Sequence, residues 1–251
     1  MRDSRIKRME TLIFQRKNIT MQELKDTFNV SMNTIRSDVS HLVEIGVVEK
    51  VYGGIRLREN KDIPLFASRA SQNSDAKEKI ACAAEALIED GDIIYIDSGT
   101  TTMHILDYLD SSKQISLVTP SIPIIEAASK MKNVNLIILP GKLDRRTNSI
   151  LDGSTAEYLA HYQHTKCFMG VTYLSSNGTL GVSNYLIFEL KRTALSRSQS
   201  AFLLTDSSKY GNSGLLSYGT ISQMNMIFTD SQISKEFSEY CHSQKVPLIL
   251  V

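Results

Sequence analysis

The residues best suited to chemistry lie in short runs that each follow an apolar stretch. Asp97, Ser98, Gly99, Thr100, Thr101 and Thr102 come directly after Ile93–Ile96 and before a helical pattern. A glycine that permits a tight turn, neighbouring hydroxyls and the unpaired N–H groups that open a helix together make an anion site, and phosphate is the natural guest. An inward-facing Asp97 would repel that phosphate, so its expected role is to meet a sugar hydroxyl or to fix the loop. A second run, Asp206, Ser207, Ser208, Lys209, Tyr210 and Gly211, follows Ala201–Thr205 and sets Lys209 at a strand's carboxyl end, where open α/β sheets gather ligands. Its ammonium can neutralise a phosphate as a point charge. Taken singly, each run also has a plainer reading: hydroxyl clusters commonly cap helices, and most surface lysines are only solvated.

A third run near the N-terminus suits nucleic acid. In Ser31, Met32, Asn33, Thr34, Arg36 and Ser37, the asparagine can pair with adenine and the arginine with guanine or a phosphate. Ser31 and Thr34 can meet phosphate or a base, and Met32 can touch thymine methyls. Lys50, Tyr52 and Arg56 flank the glycine pair Gly53 and Gly54, from which the long side chains reach phosphates or the minor groove, and Gly53 belongs to the same DNA-facing set. Thr20 joins this DNA-facing set; His41, one turn past Ser37, fits packing better. The alternative is a module that only packs, with Arg36 on a solvated face.

The elements that must position these residues are legible in the spacing. Ile6, Met9, Leu12 and Ile13 recur at three- and four-residue steps between Ser4 and Phe14, with Arg5, Lys7 and Arg8 interleaved, and predict a one-faced helix. Thr20 followed by Glu23 is a capping box for a second helix with Leu24, Thr27 and Phe28 inward, ending near Asn29. Ser31 caps a third, whose stripe is Ile35, Val39, Leu42 and Val43 and which stops near Gly46. Two helices joined by about three residues are a helix-turn-helix, and the second is the one that enters the major groove. Val47–Tyr52 and Ile55–Leu57, with Gly53 and Gly54 supplying positive dihedrals, predict a hairpin wing.

Composition bounds the rest. The 251 residues are 42% hydrophobic and 22% charged, ordinary for a globular chain of two domains. Residues 1–60 carry 11 Lys+Arg against 8 Asp+Glu, a net +3, and the remainder 17 against 19, a net −2, which weakly favours a polyanion partner for the first part. Three scattered cysteines, Cys82, Cys167 and Cys241, argue against a disulfide framework or zinc site and for a reducing cytoplasm. The charged N-terminus lacks an apolar signal region, and no stretch approaches the roughly 18 uncharged residues of a membrane span. No membrane association, cofactor or metal is expected.

Residues 1–58 are thus expected as a winged helix-turn-helix, 59–74, with Pro64, as a polar linker on which Leu65 and Phe66 can dock, and 75–251 as an α/β domain. In that domain short apolar strands (Ile93–Ile96, Ile115–Thr119, Asn135–Leu139, Lys166–Val171, Ala201–Thr205, Met226–Thr229, Leu248–Val251) alternate with helices (Ala76–Ile88, Thr102–Leu109, Ile122–Met131, Thr155–His161, Tyr185–Ser196, Lys235–Ser243). That alternation reads as a mostly parallel sheet covered on both faces.

Val30, Ser31, Thr34, Ile35, Arg36 and Asp38, then Gly46, Glu49, Lys50, Tyr52, Gly53 and Gly54, together resemble the N-terminal signature of the DeoR family of bacterial regulators of sugar metabolism. Gly141, the Leu151, Asp152, Gly153 turn, the Phe168–Gly170 strand end and both ligand runs resemble that family's C-terminal sensor domain. That domain is similar to the sugar-phosphate isomerase and CoA-transferase type of fold. The resemblance covers roughly Arg5–Asp230 and implies effector contacts at Asp97, Ser98, Gly99, Thr100, Thr101 and Lys209, with Glu189 and Lys191 as an acidic-then-basic helix pair near the pocket. It implies a regulator, of the repressor type, that binds double-stranded operator DNA as a homo-dimer or homo-tetramer and answers to a small phosphorylated sugar. Activation would use the same parts. The chain departs from the family at Ser37 (usually a second arginine), Pro120 (commonly asparagine) and Lys142 (a second glycine), so details of operator and pocket are expected to differ.

Two rivals remain at this stage. A working sugar-phosphate isomerase needs a positioned base, yet 171–181 has no Asp, Glu or His, and His161 and His164 read as surface or capping residues. An α/β domain used only for oligomerisation would leave the 97–102 loop and Lys209 unexplained.

Overall fold

The computed structural model describes residues 5–251 except 7, 10, 11, 14, 15, 45–47 and 58–64. Ser4, Lys7, Phe14, Gly46, Val47 and the first part of the expected linker, Pro64 included, lie outside the described residues.

Residues 5, 6, 8, 9, 12, 13 and 16 are helical and belong to the first helix, α1. It is followed by β1 (Asn18–Thr20), α2 (Met21–Phe28), α3 (Met32–Glu44), β2 (Val48–Val51) and β3 (Gly54–Leu57). Ile6, Met9, Ile13, Leu24, Ile35, Val39 and Leu42, the inward stripes of the three helices, close one core with Ile19, Val48 and Ile55 of the strands. Arg5 reaches across to the buried Asp38 carboxylate, Nε to Oδ2 at 2.7 Å and Nη2 to Oδ1 at 3.3 Å, and locks α1 to α3. The α2 capping box forms as expected: Thr20 N donates to Glu23 Oε2 at 2.8 Å and Glu23 N to Thr20 Oγ1 at 3.1 Å.

The wing has three strands, ordered β1-β3-β2, where a hairpin alone was expected. Three residues that end in a helix cap carry no alternation, so β1 has no sequence signal. It also corrects the role of Gly54: only Gly53 has a positive φ, 77°, whereas a Cβ on Gly54 would come within 2.4 Å of the Ile19 carbonyl oxygen across the β1–β3 pairing.

The larger unit runs α4 (Phe66–Ala70), α5 (Ser74–Glu85), β4 (Ile93–Ile96), a 3₁₀ turn (Thr102–Asp107), β5 (Ile115–Thr119), α6 (Ile122–Ala128), β6 (Val134–Ile138), β7 (Leu143–Asp144), β8 (Ser149–Ile150) and α7 (Thr155–Leu159). It continues β9 (His164–Met169), β10 (Tyr173–Leu174), β11 (Thr179–Val182), α8 (Tyr185–Ser196), β12 (Ser198–Leu204), β13 (Leu216–Thr220), β14 (Met226–Thr229), α9 (Lys235–Ser243) and β15 (Leu248–Leu250). Its described residues form a seven-stranded parallel sheet, order β15-β14-β12-β9-β4-β5-β6. Alternation divides the strands between two faces. Ile94, Ile96, Phe168, Phe202 and Leu204 pack under α5, α6 and the 3₁₀ turn, and Tyr95, Cys167, Met169, Ala201 and Leu203 under α7, α8 and α9. The second face also carries an antiparallel sheet, β10-β11-β13, absent from the sequence reading because its strands are short and broken by glycine.

Two further expectations are corrected. The described part of the expected linker, 65–74, is not aperiodic but holds α4 and the start of α5; Phe66 docks as expected, buried with its N–H donating to the Arg146 carbonyl at 3.0 Å, whereas Leu65 is exposed. His164, taken as a surface or capping residue, is buried at the start of β9, its ring 5.7 Å from that of Tyr95, and burial pushes its pKa down to about 4.

His164 therefore stays neutral in the fold while the unfolded chain takes up a proton near pH 6.5, so stability is full above pH 6.5 and falls as pH drops toward 4. The loss from this group should be on the order of 3 kcal/mol. Urea denaturation at pH 7 and 4.5 should show a smaller acid loss for His164→Gln than for wild type; equal losses would contradict this.

Candidate functional site

Successive crossovers lead from β4 outward to β5 and β6, whereas β9, on the other flank of β4, leads outward to β12, β14 and β15. The two directions part between β4 and β9, and just beyond their carboxyl ends the loops separate and leave a crevice. A small solvent-open cavity occupies it. Its lining comes from the β4 loop (Asp97 to Thr101), the β9 end (Gly170 to Thr172), the β12 end (Leu204 to Asp206, with Lys209), α8 (Ile187 and Lys191), Thr147 and Arg69.

The β4 loop is held open by its own hydroxyl and carboxylate. Thr102 Oγ1 donates to the Asp97 carbonyl at 2.7 Å and accepts from Gly99 N at 3.1 Å. The amides of Ser98, Thr100 and Thr101 have no acceptor among the described residues. They remain available to an anion, as the loop composition suggests. The helix after the loop is a six-residue 3₁₀ turn rather than an α-helix, so its dipole adds little and any anion must rely on amides, hydroxyls and cations.

Asp97 fixes the loop, the second of its expected roles. Its Oδ2 accepts from Gly170 N at 3.1 Å and forms an ion pair with Lys191 Nζ. Both side chains are buried, with 2% and 4% of the residue exposed. Lys191 also donates to the Gly170 carbonyl at 2.8 Å and lies 5.2 Å above the Tyr218 ring; the Tyr218 hydroxyl donates to the same carbonyl at 2.9 Å. The pair thus stitches β4, β9 and α8 together at the cavity wall.

Asp206, 1% exposed, ends β12. Its Oδ1 accepts from Ser208 N at 3.2 Å, Ser208 Oγ and Asn73 Nδ2 at 3.0 Å. Its buried Oδ2 has no partner among the described residues. Burial raises its pKa, but the Ser208 bonds, Lys209, Asn73 and Lys77 outweigh it and hold the carboxyl below the usual range. Lys77 is buried too, donating to the Arg69 and Gln72 carbonyls, and burial together with nearby Lys209 and Arg69 brings its pKa down to about 8 against the pull of Asp206. Burial likewise lowers the Arg69 pKa, against the attraction of Asp97 and Asp144.

Of the effector residues expected from sequence, Asp97, Ser98, Gly99, Thr100, Thr101, Lys191 and Lys209 line the cavity. Thr102 does not; it lies behind the loop as its brace. Nor does Glu189, which accepts from Tyr185 Oη and Arg192 Nη2, each at 3.1 Å. Two residues apart on a helix face opposite ways, so Glu189 and Lys191 cannot share one wall, whereas Ile187 and Lys191, four apart, do. Pro120 and Lys142 are likewise outside the lining. Sequence reasoning missed Arg69, Thr147 and Thr172, and passed over Asp206 for Lys209. The only signal for Asp206 was its place between an apolar strand and Ser207; Arg69 had none, because α4 is too short to show a period.

At the other end of the chain, Asn33, Arg36 and Ser37 are exposed on one face of α3, and Met32 and Thr34 are half-buried beside them. Ser31 Oγ caps the helix, accepting from Thr34 N at 3.2 Å, and lies 2.9 Å from Thr34 Oγ1. Lys50, Tyr52 and Gly53 are exposed on the wing, with Tyr52 wholly in solvent. Thr20, also exposed, spends its hydroxyl in the capping box. Arg56 pairs across the hairpin with Glu49, Nε to Oε1 at 2.7 Å. His41 is half-buried in the last turn of α3.

A winged helix-turn-helix joined to a parallel α/β unit with a polar cavity at its switch point defines a class of protein, the ligand-sensing transcription regulator. A DeoR-like helix-turn-helix domain matches residues 5–61, and a DeoR C terminal sensor domain matches residues 72–231. The chain belongs to the DeoR family of transcription regulators. It is 38% identical over 246 residues to the HTH-type transcriptional regulator IolR of Bacillus subtilis (strain 168), covering 98% of both chains. It is 25% identical over 220 residues to the glycerol-3-phosphate regulon repressor of Escherichia coli (strain K12), covering 88% and 87% of the two. Among solved structures, ribose 5-phosphate isomerase A from Methanocaldococcus jannaschii aligns over 55% of each chain at 17% identity, with a TM-score of 0.41. No helix among the described residues is long and apolar enough to cross a membrane.

The buried pair makes a stability prediction independent of any ligand. Lys191→Met leaves Asp97 charged and buried without its cation and should cost about 3–5 kcal/mol, with a matching fall in Tm. Adding Asp97→Asn should restore part of the loss. A single variant as stable as wild type would refute this account.

Proposed function

We propose that this protein binds double-stranded operator DNA as a homo-dimer or homo-tetramer and that a small phosphorylated sugar in the cavity changes that binding. The observation that carries the reading is the cavity lining: Ser98, Thr100 and Thr101, whose amides have no acceptor among the described residues, line one space with Lys209, Arg69 and Asp206. A phosphate ester satisfies the first set, and a sugar hydroxyl donates to the carboxylate. A relative named for a glycerol-3-phosphate regulon supports a phosphorylated, hydroxylated effector. Repression of a carbohydrate operon, relieved by the effector, is the regulation we infer.

The lining suits sensing better than catalysis. Isomerisation next to a carbonyl needs a base with a pKa near the working pH. No histidine lines the cavity among the described residues, Asp97 is neutralised by Lys191, and Asp206 is held below the usual carboxylate range. On DNA, the exposed face of α3 enters the major groove with Asn33 and Arg36 toward base edges, Ser31, Met32, Thr34 and Ser37 beside them, and Thr20, Lys50, Tyr52 and Gly53 toward the backbone. Two such modules read half-sites about 10 base pairs, or a multiple, apart.

Fluorescence anisotropy of the full chain on DNA from its own upstream region tests this, at fixed salt, with inorganic phosphate, glycerol 3-phosphate, glucose 6-phosphate, fructose 1-phosphate and the unphosphorylated compounds. One ester should shift operator affinity and its free sugar should not; no specific binding under any condition would end the reading. Arg36→Ala should weaken specific binding by about 1–3 kcal/mol. Lys209→Ala should keep ligand-free operator affinity within about twofold and lose the ester's effect; a normal response would put the phosphate elsewhere.

A further inference from the structure

Arg69 is a lining residue that comes from α4, a helix that precedes the first strand of the parallel sheet. It sits on the element that follows the wing strand β3 among the described residues. The corner that α4 makes with α5 is tied down on every side the structure describes. Phe66 N donates to the Arg146 carbonyl, beside Thr147 of the cavity. The buried Lys77 ammonium grips the Arg69 and Gln72 carbonyls. Asn73, with a left-handed φ of 53°, donates to Asp206, a lining residue whose other oxygen is buried without a partner among the described residues. The same corner therefore brings Arg69, whose guanidinium lies 5.8 Å over the Phe66 ring, to the cavity lining and hangs on a carboxylate of the cavity wall.

We propose that this corner is the element through which the cavity's occupancy reaches the DNA-binding module, with Arg69 taking oxygens of a phosphomonoester by its two-pronged guanidinium. The inference rests on the reading of the cavity as a phosphate-ester site. A dianion held at once by the β4 loop, Lys209 and Arg69 draws α4 toward the sheet, and a hydroxyl on Asp206 Oδ2 competes for the charge that now holds Asn73. Both effects act on residues 66–73, which follow the wing strand β3 in the sequence. The fork geometry matters as well as the charge, so lysine at position 69 supplies only part of the function.

Two measurements on the full chain test this, using the ester from the panel above that shifts wild-type operator affinity. Hydrogen–deuterium exchange of wild type should show slower exchange across residues 66–73 when that ester is bound. Anisotropy with each variant saturated by ester, as checked by calorimetry, should show at least about a tenfold operator shift for wild type. Arg69→Lys should give a smaller shift, and Arg69→Ala less than about twofold. Unchanged exchange across 66–73 in wild type overturns the proposal, whatever the variants do. So does an Arg69→Ala protein that responds as wild type does, and in that case the phosphate-ester reading survives. If no ester in the panel binds wild type, the cavity reading fails and this inference falls with it. If Arg69→Ala binds too weakly to saturate or does not fold, the wild-type exchange and Arg69→Lys decide.

Discussion

An ammonium and a carboxylate buried together cost several kcal/mol each to remove from water, and they remain charged only if the surroundings complete their hydrogen bonds. Lys191 and Asp97 meet that demand with a donor and an acceptor from a single residue, the Gly170 amide and carbonyl, and with the Tyr218 ring over the ammonium. To do so they must bring the end of β4, the end of β9 and the middle of α8 to one point. The crevice between β4 and β9 has its shape because these three elements are held there. Gly170 is suited to the place: a Cβ on it would lie 3.3 Å from Asp97 Oδ2 and 3.6 Å from Gly99 Cα.

With that wall fixed, the rest of the cavity follows from parallel-sheet geometry. All seven strands run the same way, so the loops that follow β4, β9 and β12 emerge on one edge, and polar residues at strand ends converge without being near in sequence. The two-faced core keeps them there, because a one-residue slip would exchange Tyr95 and Cys167 with Ile94 and Phe168 between the faces. The polarity of the cavity is mixed by construction. Asp97 is neutralised inside the wall, whereas Arg69, Lys209 and the residues with open amides line the space.

The DNA-binding module rests on a smaller version of the same principle. The Arg5 to Asp38 pair ties the first helix to the third, and the three-stranded wing is set against α2 by the close β1–β3 approach at Gly54. Contact with the larger unit is made by Tyr185, at the start of α8, which packs on the module's core. The same helix carries Lys191 two turns further on, so the module touches an element that also forms the cavity wall.

Much of this was determined by sequence alone, because local physics is written in local spacing. Helical stripes such as Ile35, Val39 and Leu42, the Thr20 to Glu23 capping box and the apolar strands Ile93–Ile96 and Met226–Thr229 need only near neighbours to be recognised, and the structure has them at those bounds or within a few residues. The resemblance carried by the helix-turn-helix residues and the two ligand runs likewise placed the chain in its family. What only tertiary structure decided are the relations between residues far apart in the chain: the 94-residue separation of Asp97 and Lys191, the brace rather than wall position of Thr102, and the exclusion of Glu189 by helical phase. Arg69 belongs to the same set. A five-residue helix shows no periodicity, and its direction is fixed by Lys77, Asn73 and the Arg146 carbonyl, so no reading of the residues around it could have turned it toward the cavity.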